Sequence, residues 1–191
     1  ELADYITINI SSPNTKNLRD FQDQSKLDEL LKEIKIEREN LNSKIPIVVK
    51  IAPDINDTDI QKISEVLIDN YVEAVIISNT SDVTREKLTN VQKYQKGGLS
   101  GKPIEDKSNL LIGKFYKNLK NRIKIIGVGG VDSGISAYNK FLSGADLVQL
   151  YTGMVYKGPN IVNLIKSELS KLLLKDGVKN FSEIVGNKIS K

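Results

Sequence analysis

Ile123-Lys124-Ile125-Ile126-Gly127-Val128-Gly129-Gly130-Val131-Asp132-Ser133-Gly134 is the stretch on which the fold of this sequence turns. A short isoleucine-rich run breaks into closely spaced glycines, and helical spacing begins at Ser133. That is the pattern of a buried strand, a tight glycine loop and the start of a helix. Glycines allow backbone N–H groups to approach an anion, and a helix N-terminus adds a favourable dipole. The pattern recurs at once. Leu147-Val148-Gln149-Leu150-Tyr151 reads as a strand, followed by Thr152-Gly153 and a strongly amphipathic segment carrying Ile161, Leu164, Ile165, Leu169, Leu172 and Leu173.

Upstream, the same alternation continues. Strands are predicted at 5–10, at Ile45-Pro46-Ile47-Val48-Val49-Lys50-Ile51 and at 73–78. Helical spacing lies between them, in Leu27, Leu30, Leu31, Ile34 and Leu41, with a cap at Ser25 and Asp28, and in Ile60, Ile63 and Leu67. Pro103 suits the first turn of a helix through Leu110, Leu111 and Phe115. A last short helix is expected at 181–186. Near-continuous apolar strands joined by amphipathic helices indicate a parallel sheet covered by helices.

Two architectures fit such a sheet: a doubly wound sheet or part of a (β/α)8 barrel. In barrels the loops after strands seven and eight commonly hold a phosphate, whereas the doubly wound phosphate loop follows the first strand. Here the first strand is followed by Ser11-Ser12-Pro13-Asn14, and the glycines follow the last two strands. The expectation is therefore an α/β fold of the (β/α)8 TIM-barrel type. Residues 1–191 would form a partial barrel domain covering about strands 4 to 8, with the earlier units upstream. The open edges of such a piece predict that the chain alone associates or dissolves poorly.

Composition narrows the chemistry. The 191 residues include neither Cys nor His, which excludes disulfides, thiolate or imidazole metal sites and a Ser-His-Asp triad within them. The 28 basic residues are interleaved with 24 acidic ones, as in Lys32-Glu33-Ile34-Lys35 and Glu37-Arg38-Glu39, so the net +4 reads as solvated helix faces and not as a nucleic-acid stripe. No apolar run approaches the roughly 18 residues that span a bilayer, and no secretory signal is visible.

Every predicted strand ends in small polar residues, glycine or lysine, which describes a polar rim. Lys50 is the most informative of these residues. A lysine at the end of an apolar strand either points outward or points into a barrel mouth, where it needs an anionic partner. Asn9, Asn14 and Asn79 suit either ligand contacts or turn capping. Ser12 suits a turn cap equally well, and with no His its nucleophilic role is poorly supported. The cluster from Gly127 to Gly134, taken alone, also fits tight turns.

Together these residues resemble the dihydroorotate dehydrogenase family of FMN-dependent (β/α)8 enzymes. The resemblance runs through essentially the whole chain. It rests on Asn-Ile-Ser-Ser-Pro-Asn-Thr at 9–15, Leu-Arg-Asp at 18–20, Val-Lys-Ile-Ala-Pro-Asp at 49–54, Asn-Thr at 79–80, Gly-Gly-Leu-Ser-Gly-Lys-Pro at 97–103, Ile-Gly-Val-Gly-Gly-Val at 126–131, and Gly-Ala-Asp-Leu-Val-Gln-Leu-Tyr-Thr-Gly at 144–153. Ser12 stands where the cytosolic enzymes carry Cys, so the resemblance implies the quinone-reducing, membrane-associated class. It implies oxidation of dihydroorotate to orotate in de novo pyrimidine (UMP) biosynthesis.

The resemblance also implies roles. Ser12 would be the general base at C5 of dihydroorotate, with Thr15 a relay toward solvent. Asn9 would hold substrate and flavin, and Asn14, Asn79 and Thr80 would bind the substrate. Lys50 and Ser78 would contact the flavin ring; Gly101, Gly130, Tyr151 and Thr152 would hold the FMN phosphate and ribityl chain. Residues 16–23 would form a lid over the substrate.

Quinone would be taken up by an N-terminal region outside these residues. The implied protein is a monomer with no nucleic-acid partner. It would be peripheral to the cytoplasmic side of a bacterial inner membrane, or to the mitochondrial inner membrane in a eukaryote. Lys16-Asn17 departs from the Pro-Gly common in relatives, although Asn tolerates left-handed backbone. The alternatives are another FMN-dependent pyrimidine oxidoreductase barrel, such as the related domain of dihydropyrimidine dehydrogenase, which carries Cys at the base position, and a non-catalytic phosphate-ligand-binding α/β module.

Overall fold

The computed structural model describes residues 2–83, 85–86 and 88–189. Its core is a five-stranded parallel sheet of β1 (Ile6–Asn9), β2 (Ile47–Ile51), β3 (Ala74–Ile77), β4 (Lys124–Val128) and β5 (Leu147–Gln149). The spatial order is β1-β2-β3-β4-β5, identical to the order along the chain. A doubly wound sheet must reverse its winding, because its ligand crevice lies where the strand order switches. Here the winding never reverses, so every crossover helix falls on one face. That is the arrangement of a TIM-barrel-type α/β fold.

The crossover helices are α1 (Gln24–Asn40), α2 (Asp57–Asp69), α3 (Glu105–Leu119) and α4 (Gly134–Leu142). A short α5 (Thr152–Lys157) and α6 (Ile161–Lys175) follow β5, and a 3-10 turn, Phe181–Ile184, stands where a last short helix was expected. Pro103 sits in a 3-10 turn, Lys102–Ile104, that leads directly into α3. The α1 cap differs from expectation. Asp23 caps the helix by accepting from the N–H groups of Ser25 and Lys26. Ser25 donates its hydroxyl to the same carboxylate oxygen at 2.7 Å. Asp outcompetes Ser here because its charge also meets the positive end of the helix dipole.

Strand alternation divides the core. Val49, Ile51, Val75, Ile77 and Ile125 face the helices and pack with Ile60, Ile63, Leu67, Ile112, Phe115 and Leu119. Burying each such side chain contributes roughly 1.5–3 kcal/mol. Val48, Ala74, Ile76 and Ile126 form a separate cluster on the opposite, concave face. These residues are buried although only five strands surround them. The sheet curls far enough for Gln149 Nε2 to donate to the Tyr5 hydroxyl at 3.2 Å, from one edge strand's end to the approach of the other. The apolar side chains of the concave face are therefore covered, while the edges remain exposed at Ile6 (43%) and Leu147 (55%). Among the described residues, no helix is long and apolar enough to cross a membrane.

Candidate active site

Register places the functional side chains. Asn9 pairs with Lys50 across β1 and β2, and Lys50 with Ile76 across β2 and β3. Paired residues in a parallel sheet share a face, and residues two apart share it too. Lys50 and Asn9 therefore stand with Val48 and Ile76 on the concave face, at the carboxyl ends of their strands. The lysine points into the barrel mouth, not outward.

A cavity of about 850 Å³ opens there. This is the size of a cofactor pocket. Its walls include Lys50, Ser78, Asn79, Thr80, Gly101, Gly130, Tyr151 and Thr152, so four of the five strand ends read from the sequence, those of β2 to β5, converge on one space. Three lysines line it. Lys102 lies 2.5 Å from Glu105, which holds its ammonium above the usual lysine range. Lys157 reaches the Asp132 carbonyl at 2.8 Å and its carboxylate at 3.4 Å. Lys50 has no acidic or hydrogen-bonding partner among the described residues, and its half-burial lowers its pKa by desolvation. A partly desolvated, unpaired cation in a cavity calls for an electron-rich or anionic ligand.

The glycines shape the far wall. Gly130 has φ +79°, and a Cβ there would lie 2.4 Å from Glu105 Cβ and 2.9 Å from its Cα. Gly101 has φ +75° and abuts Thr152, which begins α5 and donates to Ser100 Oγ at 2.9 Å. A side chain at either glycine would push the cavity wall off its support. The loops at 97–103 and 129–130 thus bring bare backbone to the cavity, as a bound phosphate requires.

The loop after β1 lies beside the cavity and not in its lining. Asn9 Oδ1 accepts from Ser11 Oγ at 2.8 Å, and Asn79 Nδ2 donates to the same Ser11 oxygen at 2.9 Å. Asn79 Oδ1 in turn accepts from Thr80 N–H at 2.8 Å. Ser11, fully buried, thus orients both asparagine amides. The sequence reading passed over it, although its place two residues after Asn9 put it on the same face. Ser12 is half-buried and accepts the Asn14 N–H at 3.2 Å, the turn-capping contact anticipated as its alternative role. Asn14 and Thr15 are exposed. Asn9, at the end of β1, and Ser12, Asn14 and Thr15, on the loop after it, stand outside the cavity lining, and that loop meets it where Pro13 and Thr80 lie against Gly98. Asn17 takes up left-handed backbone (φ 61°) and leads into a 3-10 turn, Leu18–Gln22. The expected lid is therefore a structured segment, with Gln22 accepting from the Ala52 N–H at 2.8 Å.

Comparison with known proteins agrees with this architecture. Residues 1–173 match the profile of the family described as Dihydroorotate dehydrogenase. A dihydroorotate dehydrogenase (quinone) from Idiomarina loihiensis is 46% identical over 171 residues, covering 87% of this chain and 51% of that protein. The protein of the same name from Bartonella tribocorum is 42% identical over 188 residues, covering 96% of this chain and 52% of its own. The crystal structure of ligand-free type DHODH from Eimeria tenella superposes with a TM-score of 0.93 at 32% identity, covering 97% of this chain and 56% of that one. The chain thus spans about half the length of the relatives it matches.

Proposed function

The chain belongs to the dihydroorotate dehydrogenase family, and from that premise we propose that it carries one side of an active site oxidising dihydroorotate to orotate. FMN would be the resident cofactor and a quinone the final electron acceptor, in pyrimidine nucleotide synthesis. Residues 1–191 would be a partial barrel domain, with the remaining units and the quinone-binding region upstream. Peripheral membrane association would belong to that upstream region.

The observation that carries this reading is Lys50: an unpaired, partly desolvated ammonium lining a cavity whose opposite wall is bare glycine backbone. That combination fits a ligand with a ring edge that carries electron-rich oxygens or gathers negative charge at one end and a phosphate at the other. FMN, when bound, supplies the acceptor for the hydride that leaves C6 of dihydroorotate. Lys50 offers the positive charge that favours electron acceptance, and Ser78 lines the same wall. The loops around Gly101, Gly130, Tyr151 and Thr152 would take the phosphate and ribityl chain.

Asn9 and Asn79, oriented through Ser11, would present fixed amides to the polar ring of the substrate, with Thr80 beside them and Asn14 on the loop. Ser12 Oγ would take the proton from C5 as its own hydroxyl proton passes on toward Thr15, and the N–H that Asn14 donates to that oxygen would stabilise the negative charge that builds on it in between. Thr15, three residues on and exposed, would pass the proton to solvent. The test is Ser12→Ala in the full-length protein. It should retain bound flavin and lose its reduction by dihydroorotate. A variant reduced at the wild-type rate would remove Ser12 from the reaction.

A further inference from the structure

Arg19 lies in the Leu-Arg-Asp segment, outside the cavity lining, and nothing above gives it a role. Its contacts are unusually far-reaching. Nε donates to the Ser11 carbonyl at 3.3 Å, one terminal nitrogen donates to the Thr80 carbonyl at 3.3 Å, and the other donates to Asp82 Oδ1 at 3.0 Å. Asp54 Oδ2 lies 3.7 Å from that second nitrogen. One guanidinium therefore touches the loops after β1, β2 and β3. Asp54 is further tied to Ser81 Oγ at 2.8 Å and to the Lys107 ammonium on α3. The carbonyls Arg19 holds belong to Ser11, which orients Asn9 and Asn79, and to Thr80, which lines the cavity.

We propose that Arg19 is a positioning residue that fixes the Ser11–Ser12 loop against the Asn79–Thr80 loop, with Asp54 and Asp82 as its counter-charges. This rests on the function proposed above. The planar fork is the reason for arginine. Its nitrogens diverge enough to reach two carbonyls and a carboxylate at once, which the single ammonium of lysine cannot do. Loosening it would leave the flavin wall, built from Lys50, Gly101 and Gly130, in place. The serine and the asparagine amides would lose their fixed relation. A misplacement near 1 Å in such a constellation costs about 100-fold in rate.

The test uses the full-length flavoprotein carrying Arg19→Lys, with Asp82→Asn at the exposed partner as a milder second variant. Flavin content and flavin absorbance should match wild type. The rate of flavin reduction by saturating dihydroorotate should fall about 100-fold in Arg19→Lys and several-fold in Asp82→Asn. Hydrogen exchange, measured without substrate, should rise together at 10–14 and at 79–82.

A wild-type protein that dihydroorotate fails to reduce would overturn the functional reading, and the exchange experiment would still test the clamp. Arg19→Lys with unchanged exchange in either segment, or with increased exchange confined to the Leu18–Gln22 turn, would overturn the clamp while leaving the functional reading intact. If Arg19→Lys does not fold, unchanged reduction and exchange in Asp82→Asn would overturn it equally.

Discussion

Gly130→Ala puts the cavity wall under direct test. Gly130 has φ +79°, a region that costs an L-residue about 1–2 kcal/mol. The added methyl would also lie 2.4 Å from Glu105 Cβ and 2.9 Å from Glu105 Cα. Carbon atoms prefer about 3.5–4.0 Å, so the loop and the start of α3 must separate by about 1 Å. No side-chain rotation relieves this, because Glu105 Cα is backbone and Glu105 is buried at the head of its helix. Overpacking of this kind adds about 1–3 kcal/mol. The expected total is about 2–5 kcal/mol, a large share of a typical domain's stability.

Gly177→Ala is the matched control. It has φ +69° and nothing within 4 Å of the new Cβ, so it should cost only about 1–2 kcal/mol of conformational strain. Urea denaturation of the full-length protein would compare the two, alongside flavin retained per chain. Gly130→Ala should be the less stable by about 1–3 kcal/mol and should lose flavin, while Gly177→Ala keeps it. Equal stabilities with full flavin in both would refute the close-approach argument.

Lys140 is fully buried on α4, donates to Asn109 Oδ1 at 2.7 Å, and is pushed down to about 7 by burial against the pull of Glu105 and Asp106. The unfolded chain keeps that proton to a much higher pH, so the cost of burying the charge is fully present below about pH 7 and fades as pH rises toward 10.5. Between about pH 6.5 and about pH 9 the wild type should gain about 2–3 kcal/mol relative to Lys140→Met, read from unfolding midpoints. Parallel curves would contradict the assignment. Phe115→Ala empties the packing between α3 and the convex face of the sheet, where Phe115 is fully buried, and should cost about 3–5 kcal/mol. A loss under about 1 kcal/mol would mean that the site collapses around the gap.

The strands and their order were legible because buried parallel strands carry continuous apolar runs, and because the glycines fell after the last two. Lys50 was legible as a candidate, since a lysine ending an apolar strand points either outward or into a barrel mouth. Its direction followed only from register. Ser11 and Ser12 are neighbours of one type, and which of them knits the asparagines together depends on a contact with Asn79, 68 residues away. Arg19 escaped for the same reason: its partners Thr80 and Asp82 are distant in sequence and close only once β1 and β3 share a rim. Nothing local marks Lys140, whose side chain lies against Gly127 and is buried away from water. The α1 cap was displaced by two residues because Ser25 and Asp23 are both good caps, and the geometry of the preceding turn chose between them.

The most direct test of the account is anaerobic addition of dihydroorotate to the purified full-length protein while its flavin absorbance is followed. The account predicts bleaching of the oxidised flavin band, with colour restored by a quinone and not by fumarate. A yellow protein left unbleached by dihydroorotate would contradict the substrate assignment, and a colourless protein would contradict the flavin site built around Lys50 and Gly130.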